Sequence, residues 1–148
     1  MRLPGFHFHE DMAGTWTGED GVERPMRFTA EARASSTLQY LRDRKVKLHG
    51  DVTVDGLASA KALAGEMTMD PILGRLIRYE FAFVGDDGQR YRFIGQKDIT
   101  PRDIYASMTT LPGQLLALDG KRIGTVQLKF ERRDLPRFLA SWRLDLFG

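Results

Sequence analysis

Cysteine is missing from the 148 residues, which excludes disulfides, thiolate metal sites and thiol nucleophiles. Long hydrophobic runs are missing too: no stretch reaches the ~18 apolar residues of a membrane-spanning helix. The opening Met1-Arg2-Leu3-Pro4-Gly5-Phe6-His7 lacks the apolar run and cleavage site of a signal peptide, so a soluble, cytoplasmic chain is expected. Charge of one sign is scarce as well. Twenty-two basic side chains nearly cancel 20 acidic ones, leaving +2, and even with a pI near 9.0 that is a weak footprint for nucleic acid. The two basic clusters, Arg42, Arg44, Lys45 and Lys47, then Arg132, Arg133 and Arg137, are interrupted by acidic residues and carry no aromatic stacking motif. They read as solvated surface. Finally, there is no Gly-x-Ser-x-Gly elbow, Walker loop, dinucleotide fingerprint or His-Glu-x-x-His, so no cofactor is expected and no nucleophile is supported by a local base.

What remains is a chain of 42% hydrophobic and 28% charged residues, the balance of one ordinary domain spanning 1–148. Most of it alternates with period two, which sends successive side chains to opposite faces of a strand. Val46, Leu48, Val52 and Val54 fall on one face, against Lys47, His49, Asp51, Thr53 and Asp55 on the other. The same reading turns Met26, Phe28 and Ala30 inward, then Ile77, Tyr79, Phe81 and Phe83, then Val126, Leu128 and Phe130. Across 58–69, alanine blurs the pattern, although Leu63, Met67 and Met69 share a parity.

The segment Gly85-Asp86-Asp87-Gly88 fixes a register. A three-residue loop 86–88, with Gly88 left-handed, opposes Phe83 to Tyr91 and Phe81 to Phe93, whereas a two-residue loop would put Arg90 against Phe83. Extending the three-residue register sets Tyr79 against Gly95 and Ile77 against Lys97, so Lys97 faces inward unless Gly95 bulges. Asp119-Gly120 marks a second hairpin, between a strand around 104–117 and one around 121–132. Two helices are expected: a short one near 35–43 with a serine cap and Leu38 and Leu41 three apart, and a C-terminal one capped by Asp134 with the stripe Leu135, Phe138, Leu139 and Trp142. About eight antiparallel strands and a flanking helix suit a single closed β-barrel of lipocalin style, whose interior is filled or holds one small ligand.

Candidate chemistry follows from facing. His7, His9 and Asp11 alternate along the first strand and point outward, so ordinary surface is preferred to a metal site there; His49 is also on a polar face. Glu10 shares the parity of Phe6, Phe8, Met12 and Trp16 and therefore faces inward. Two opposite charges in a low-dielectric interior are expensive singly and far cheaper together. Glu10 and Lys97 are therefore expected to meet, directly or through water or a ligand. That pair can be a stabilising internal contact, a polar anchor for a ligand, or a proton-transfer pair.

Gly14-Thr15-Trp16 resembles the Gly-x-Trp opening of lipocalins. Phe8-His9-Glu10-Asp11-Met12-Ala13-Gly14, Gly95-Gln96-Lys97-Asp98 and Thr109-Thr110-Leu111 resemble segments of the accessory β-rich domain that accompanies some bacterial glucose-methanol-choline type flavin oxidoreductases, especially cholesterol-oxidase-like ones. The flavin-binding domain itself is missing here. The resemblance implies a module associated with sterol or other lipid-like substrates, with a flavin oxidoreductase partner on a separate chain, and it brings Thr109 into the candidate set. The expected function is binding of a small apolar molecule, with Trp16, Phe28, Tyr79, Phe81, Phe83, Tyr91 and Phe93 supplying burial and Glu10 and Lys97 a polar end. A small barrel enzyme of isomerase or cyclase type using Lys97 and Glu10, and a structural docking module without ligand, are the competing readings.

Overall fold

The computed structural model describes residues 5–70 and 74–130. In chain order the elements are β1 (Phe6–Gly18), β2 (Glu23–Ala34), α1 (Thr37–Asp43), β3 (Lys45–Val54), β4 (Ala58–Asp70), β5 (Leu76–Val84), β6 (Arg90–Asp98), α2 (Ile104–Thr109), β7 (Thr110–Ala117) and β8 (Arg122–Phe130). Each strand pairs antiparallel with the next, and β8 returns to β1 from Met12↔Phe130 to Gly18↔Gly124. That closes an eight-stranded barrel, which leaves no free edge.

The alternation in the sequence becomes the wall of this barrel. Phe28 and Ala30, Val52 and Val54, Met67 and Met69, Phe81 and Phe83, and Leu128 are buried, and their odd-parity or even-parity neighbours face outward. The β5–β6 register is the one the three-residue loop requires: Phe83↔Tyr91, Phe81↔Phe93, Tyr79↔Gly95 and Ile77↔Lys97. Gly95 does not bulge, and Lys97 stays inside. Gly88, at φ 79°, and Gly120, at φ 88°, supply the left-handed turns of the two hairpins read from sequence.

The two ends of the barrel differ. At one, which we call the hairpin end, β1–β2, β3–β4, β5–β6 and β7–β8 are joined by short turns. The other, the helical end, carries α1 between β2 and β3 and α2 between β6 and β7. Ser36 caps α1, its side chain accepting from Gln39 N–H, and Arg44 ends the helix in the left-handed conformation. Tyr40 anchors α1 by donating its hydroxyl proton to Met69 O at 3.0 Å.

The strand expected around 104–117 begins only at Thr110; a 3-10 turn over Pro101–Asp103 and α2 precede it. Pro101 in a first turn pre-sets helical φ and cannot donate to a ladder, which outweighs the apolar run that follows. In α1 the buried side chain is Tyr40, while Leu38 and Leu41 are exposed, because the helix lies along the rim and a single side chain reaches inward. The expected C-terminal helix at 134–142 lies outside the described residues.

Candidate functional site

Glu10 enters the interior because β1 runs unbroken against β2, with Glu10↔Ala30 one step beyond Met12↔Phe28. Lys97 enters from the last turn of inward positions on β6, and Tyr79 from β5 beside it. All three are shut off from solvent, and Glu10, at 0% exposure, and Lys97, at 1%, are the buried charged residues among those described. They form one chain of hydrogen bonds. Lys97 Nζ donates to the Tyr79 hydroxyl at 3.0 Å, and that hydroxyl donates to Glu10 Oε2 at 2.6 Å. The shorter contact has the length of a charge-assisted O–H···O⁻ bond.

Glu10 and Lys97 are thus linked neither directly nor through water or a ligand but through the Tyr79 hydroxyl, a side chain that the sequence marks only as part of the aromatic lining. Tyr79 was legible as inward; its hydroxyl role was not, because parity gives direction and not depth. One cheap signal was available: a tyrosine flanked on its own face by Ile77 and Phe81 has a hydroxyl that needs a buried partner.

The surroundings set the protonation chemistry. Lys97 Nζ lies 4.0 Å from the centre of the Phe130 ring and 5.1 Å from that of Tyr79, a cation–π setting that favours the ammonium without replacing water. Burial pushes the Lys97 amine down to about 8, against the pull of the Glu10 charge. Burial raises the Glu10 carboxyl above its usual range, although Lys97 and the Tyr79 hydrogen bond draw it back. Burial also lifts Tyr79 far above an ordinary phenol, with the Glu10 charge and hydrogen bond adding to it, so it remains a proton donor. The two charges are therefore both brought toward neutrality while Tyr79 holds its proton between them. Glu10 Oε1, also buried, has no hydrogen-bond partner among the described residues. Such a group is costly to leave unmade, at about 1–3 kcal/mol.

The candidate residues divide by height in the barrel. Glu10, Tyr79 and Lys97 occupy the half nearer the helices, and Thr109, half-buried, closes α2 at that rim with its hydroxyl 3.5 Å from Ala106 O. On β2 the inward positions beyond Phe28 are Ala30, Ala32 and Ala34, so the β2 side of the wall beside Glu10 carries only methyl groups. Phe28, Phe81 and Phe93 fill the waist, with ring centres 5.3 Å apart for Phe28–Phe81 and 4.9 Å for Phe81–Phe93. Toward the hairpin end Phe83 stacks on Tyr91 at 5.9 Å, and Tyr91 donates to Asp87 at 2.6 Å. Trp16 closes that end by donating to Asp55 O at 3.0 Å under the Arg24 guanidinium. The ten candidates are thus one polar trio with Thr109 above it, an aromatic plug, and a second group across the plug.

On the outer wall, His9 is hydrogen-bonded to Glu31 at 3.0 Å and to Asp11 at 3.1 Å. Partial burial opposes its charged form, but the bond to Glu31 and the Asp11 charge together raise its pKa. His9 is satisfied by these surface partners, and no cluster of residues suited to a metal ion occurs among the described residues. An open groove of about 960 Å³ also lies on the outer wall, lined by Thr15, Thr17, Gln114, Thr125 and Gln127 among others. Its mixed polar lining has no buried titratable group, so the chemistry rests with the trio. No helix among the described residues is long and apolar enough to cross a membrane.

Protein-family models, curated proteins and solved structures were each compared with this chain, and none matches.

Proposed function

We propose that the barrel binds a small, largely apolar molecule with one hydroxyl or carbonyl group, held at the helical half by Glu10, Tyr79 and Lys97. The observation that carries this reading is the buried trio in an otherwise apolar interior, with Glu10 Oε1 unpartnered among the described residues. A structural ion pair has no need of a third polar group or a spare acceptor. A ligand hydroxyl donating to Oε1 would complete the network.

The aromatic plug limits the ligand to the half of the barrel that holds the trio, beside Ala30, Ala32 and Ala34. Burying about 300 Å² of apolar ligand surface at ~25 cal/mol/Å² yields a gross ~7 kcal/mol, from which association costs are subtracted. That gross figure corresponds to about 10 μM before those costs, so apolar burial alone leaves the affinity weaker than micromolar and the polar trio must supply the rest. The segments containing Glu10, Lys97 and Thr109 are those that resemble the accessory domain of flavin oxidoreductases. On that resemblance the bound molecule is lipid- or sterol-like, and the chain serves an oxidoreductase carried on another chain. The opposed pKa shifts of Glu10 and Lys97 favour a second reading, a proton-transferring isomerase or cyclase using the same trio.

Thermal unfolding with a panel of apolar alcohols and ketones tests the binding reading. A ligand at a hundred times its Kd stabilises the folded chain by about 2.7 kcal/mol, and Glu10→Gln should weaken the response to alcohols by about tenfold. An unchanged melting curve across the panel, in a protein shown to be folded, would refute it. Turnover of a ketone or alkene substrate lost in Lys97→Met, with binding kept, would favour the enzyme.

A further inference from the structure

Lys97 differs from the other lysines of the chain. Lys45, Lys47, Lys121 and Lys129 are exposed and Lys61 is half-buried, each on an outward or loop position, whereas Lys97 is enclosed by the barrel wall. Its amine has a phenol hydroxyl at 3.0 Å, that hydroxyl has a carboxylate at 2.6 Å, and an aromatic ring covers the amine from 4.0 Å. An amine, an adjacent proton donor and a proton reservoir in a water-poor interior are the parts that carbonyl condensation needs.

We propose that the trio is a carbonyl-capturing site, in which Lys97 Nζ forms an imine with a small apolar aldehyde. The inference rests on the binding reading above and names its ligand class. In the first step the Nζ lone pair attacks the aldehyde carbon, the carbonyl π pair moves onto oxygen, and that oxygen takes a proton to give a carbinolamine. In the second, the carbon–oxygen bond breaks, the oxygen leaves as water with a second proton, and nitrogen forms the double bond. The amine gives up both of its protons and the departing oxygen receives two, so the sum is amine plus aldehyde giving imine plus water. No electrons are exchanged with an outside reagent. Tyr79 is placed to hand the proton to the oxygen, and Glu10 to take and return it.

The protonation state supports the geometry. An amine held at about 8 is roughly one-tenth neutral at pH 7, a few hundred times the fraction of an ordinary lysine near 10.4. The buried methyl groups of Ala30, Ala32 and Ala34 on the neighbouring strand are the apolar surface an aliphatic chain would meet, and an imine formed there would stay dry against hydrolysis.

Reductive trapping tests the inference. The full chain is incubated at pH 7 with hexanal and cyanoborohydride, and the modified residue is located by peptide mapping. Beside the α-amine, whose ordinary pKa of about 7.7–8.0 also makes it reactive, the expected result is one fast hexyl group on Lys97 and on no other lysine, absent in Lys97→Met and formed about tenfold more slowly in Tyr79→Phe. Should Lys97→Met fail to fold, peptide mapping of the unaltered chain still carries the test, because it reads which lysine is alkylated. Alkylation spread over Lys45, Lys47, Lys61, Lys121 and Lys129 with Lys97 untouched overturns the proposal. Hexan-1-ol, which cannot condense, separates the two claims: if Lys97 is not trapped while hexan-1-ol still raises the melting temperature, carbonyl capture alone falls, and if neither compound acts, the binding reading falls with it.

Discussion

Glu10, Tyr79 and Lys97 share one buried chain of protons, and each is costly without the others. Removing one partner of a buried ion pair costs about 3–5 kcal/mol, while replacing both with apolar or neutral groups of similar size is often neutral. Glu10→Gln and Lys97→Met should therefore each destabilise by about 3 kcal/mol, with the double variant within ~1 kcal/mol of the parent. The pH dependence has a definite sign. Between pH 8 and ~10.4 the unfolded chain retains a proton on Lys97 that the folded chain has lost, so this group's contribution to stability rises with pH. From ~4.3 upward, the folded chain keeps the Glu10 proton that the unfolded chain gives up, so stability falls as pH climbs through the raised Glu10 value. Urea denaturation from pH 5 to 10 reads both windows. The double variant should be flat in each, and strictly additive single effects would show that the two groups do not interact.

At the scale of elements, short turns join the strands at the hairpin end, and α1 and α2 join β2 to β3 and β6 to β7 at the helical end. Gly88 offers a clean test of that construction. A Cβ placed there meets nothing within 4 Å, yet the residue sits at φ +79°. Gly88→Ala should cost about 1 kcal/mol through backbone strain alone, Gly88→Asn distinctly less, as measured by chemical denaturation. Equal stabilities would show that the loop relaxes out of the left-handed region. These turns and the strands around them were legible in the sequence, because period two and a loop length constrain each other: only one register puts Phe81 on Phe93 and Phe83 on Tyr91. The helices were less so. Tyr40 lies between two leucines that a periodicity argument prefers to bury, and α2 reads as strand from Ile104 to Met108 until Pro101 is weighed. Glu10 and Lys97 were legible as inward charges, while the Tyr79 bridge depends on how far three strands bring their side chains together, and alternation does not encode that distance.

Over the whole molecule, closure of β8 onto β1 encloses one interior, which the aromatic side chains at its waist divide into two unlike halves. The Phe28–Phe81–Phe93 plug occupies the waist, the hairpin side packs on itself through Phe83, Tyr91 and Trp16, and the polar trio lies on the helical side beside three alanines. A barrel serving only as a scaffold would be simplest with that last region apolar. The reading that the trio serves a ligand is tested most directly by native mass spectrometry of the protein purified from its own cells. A trio that serves a ligand brings down a co-purifying hydrophobic compound with one oxygen-bearing group, present on the parent and missing from a folded Lys97→Met variant. A bare chain in both, or the same compound held equally by both, would contradict it.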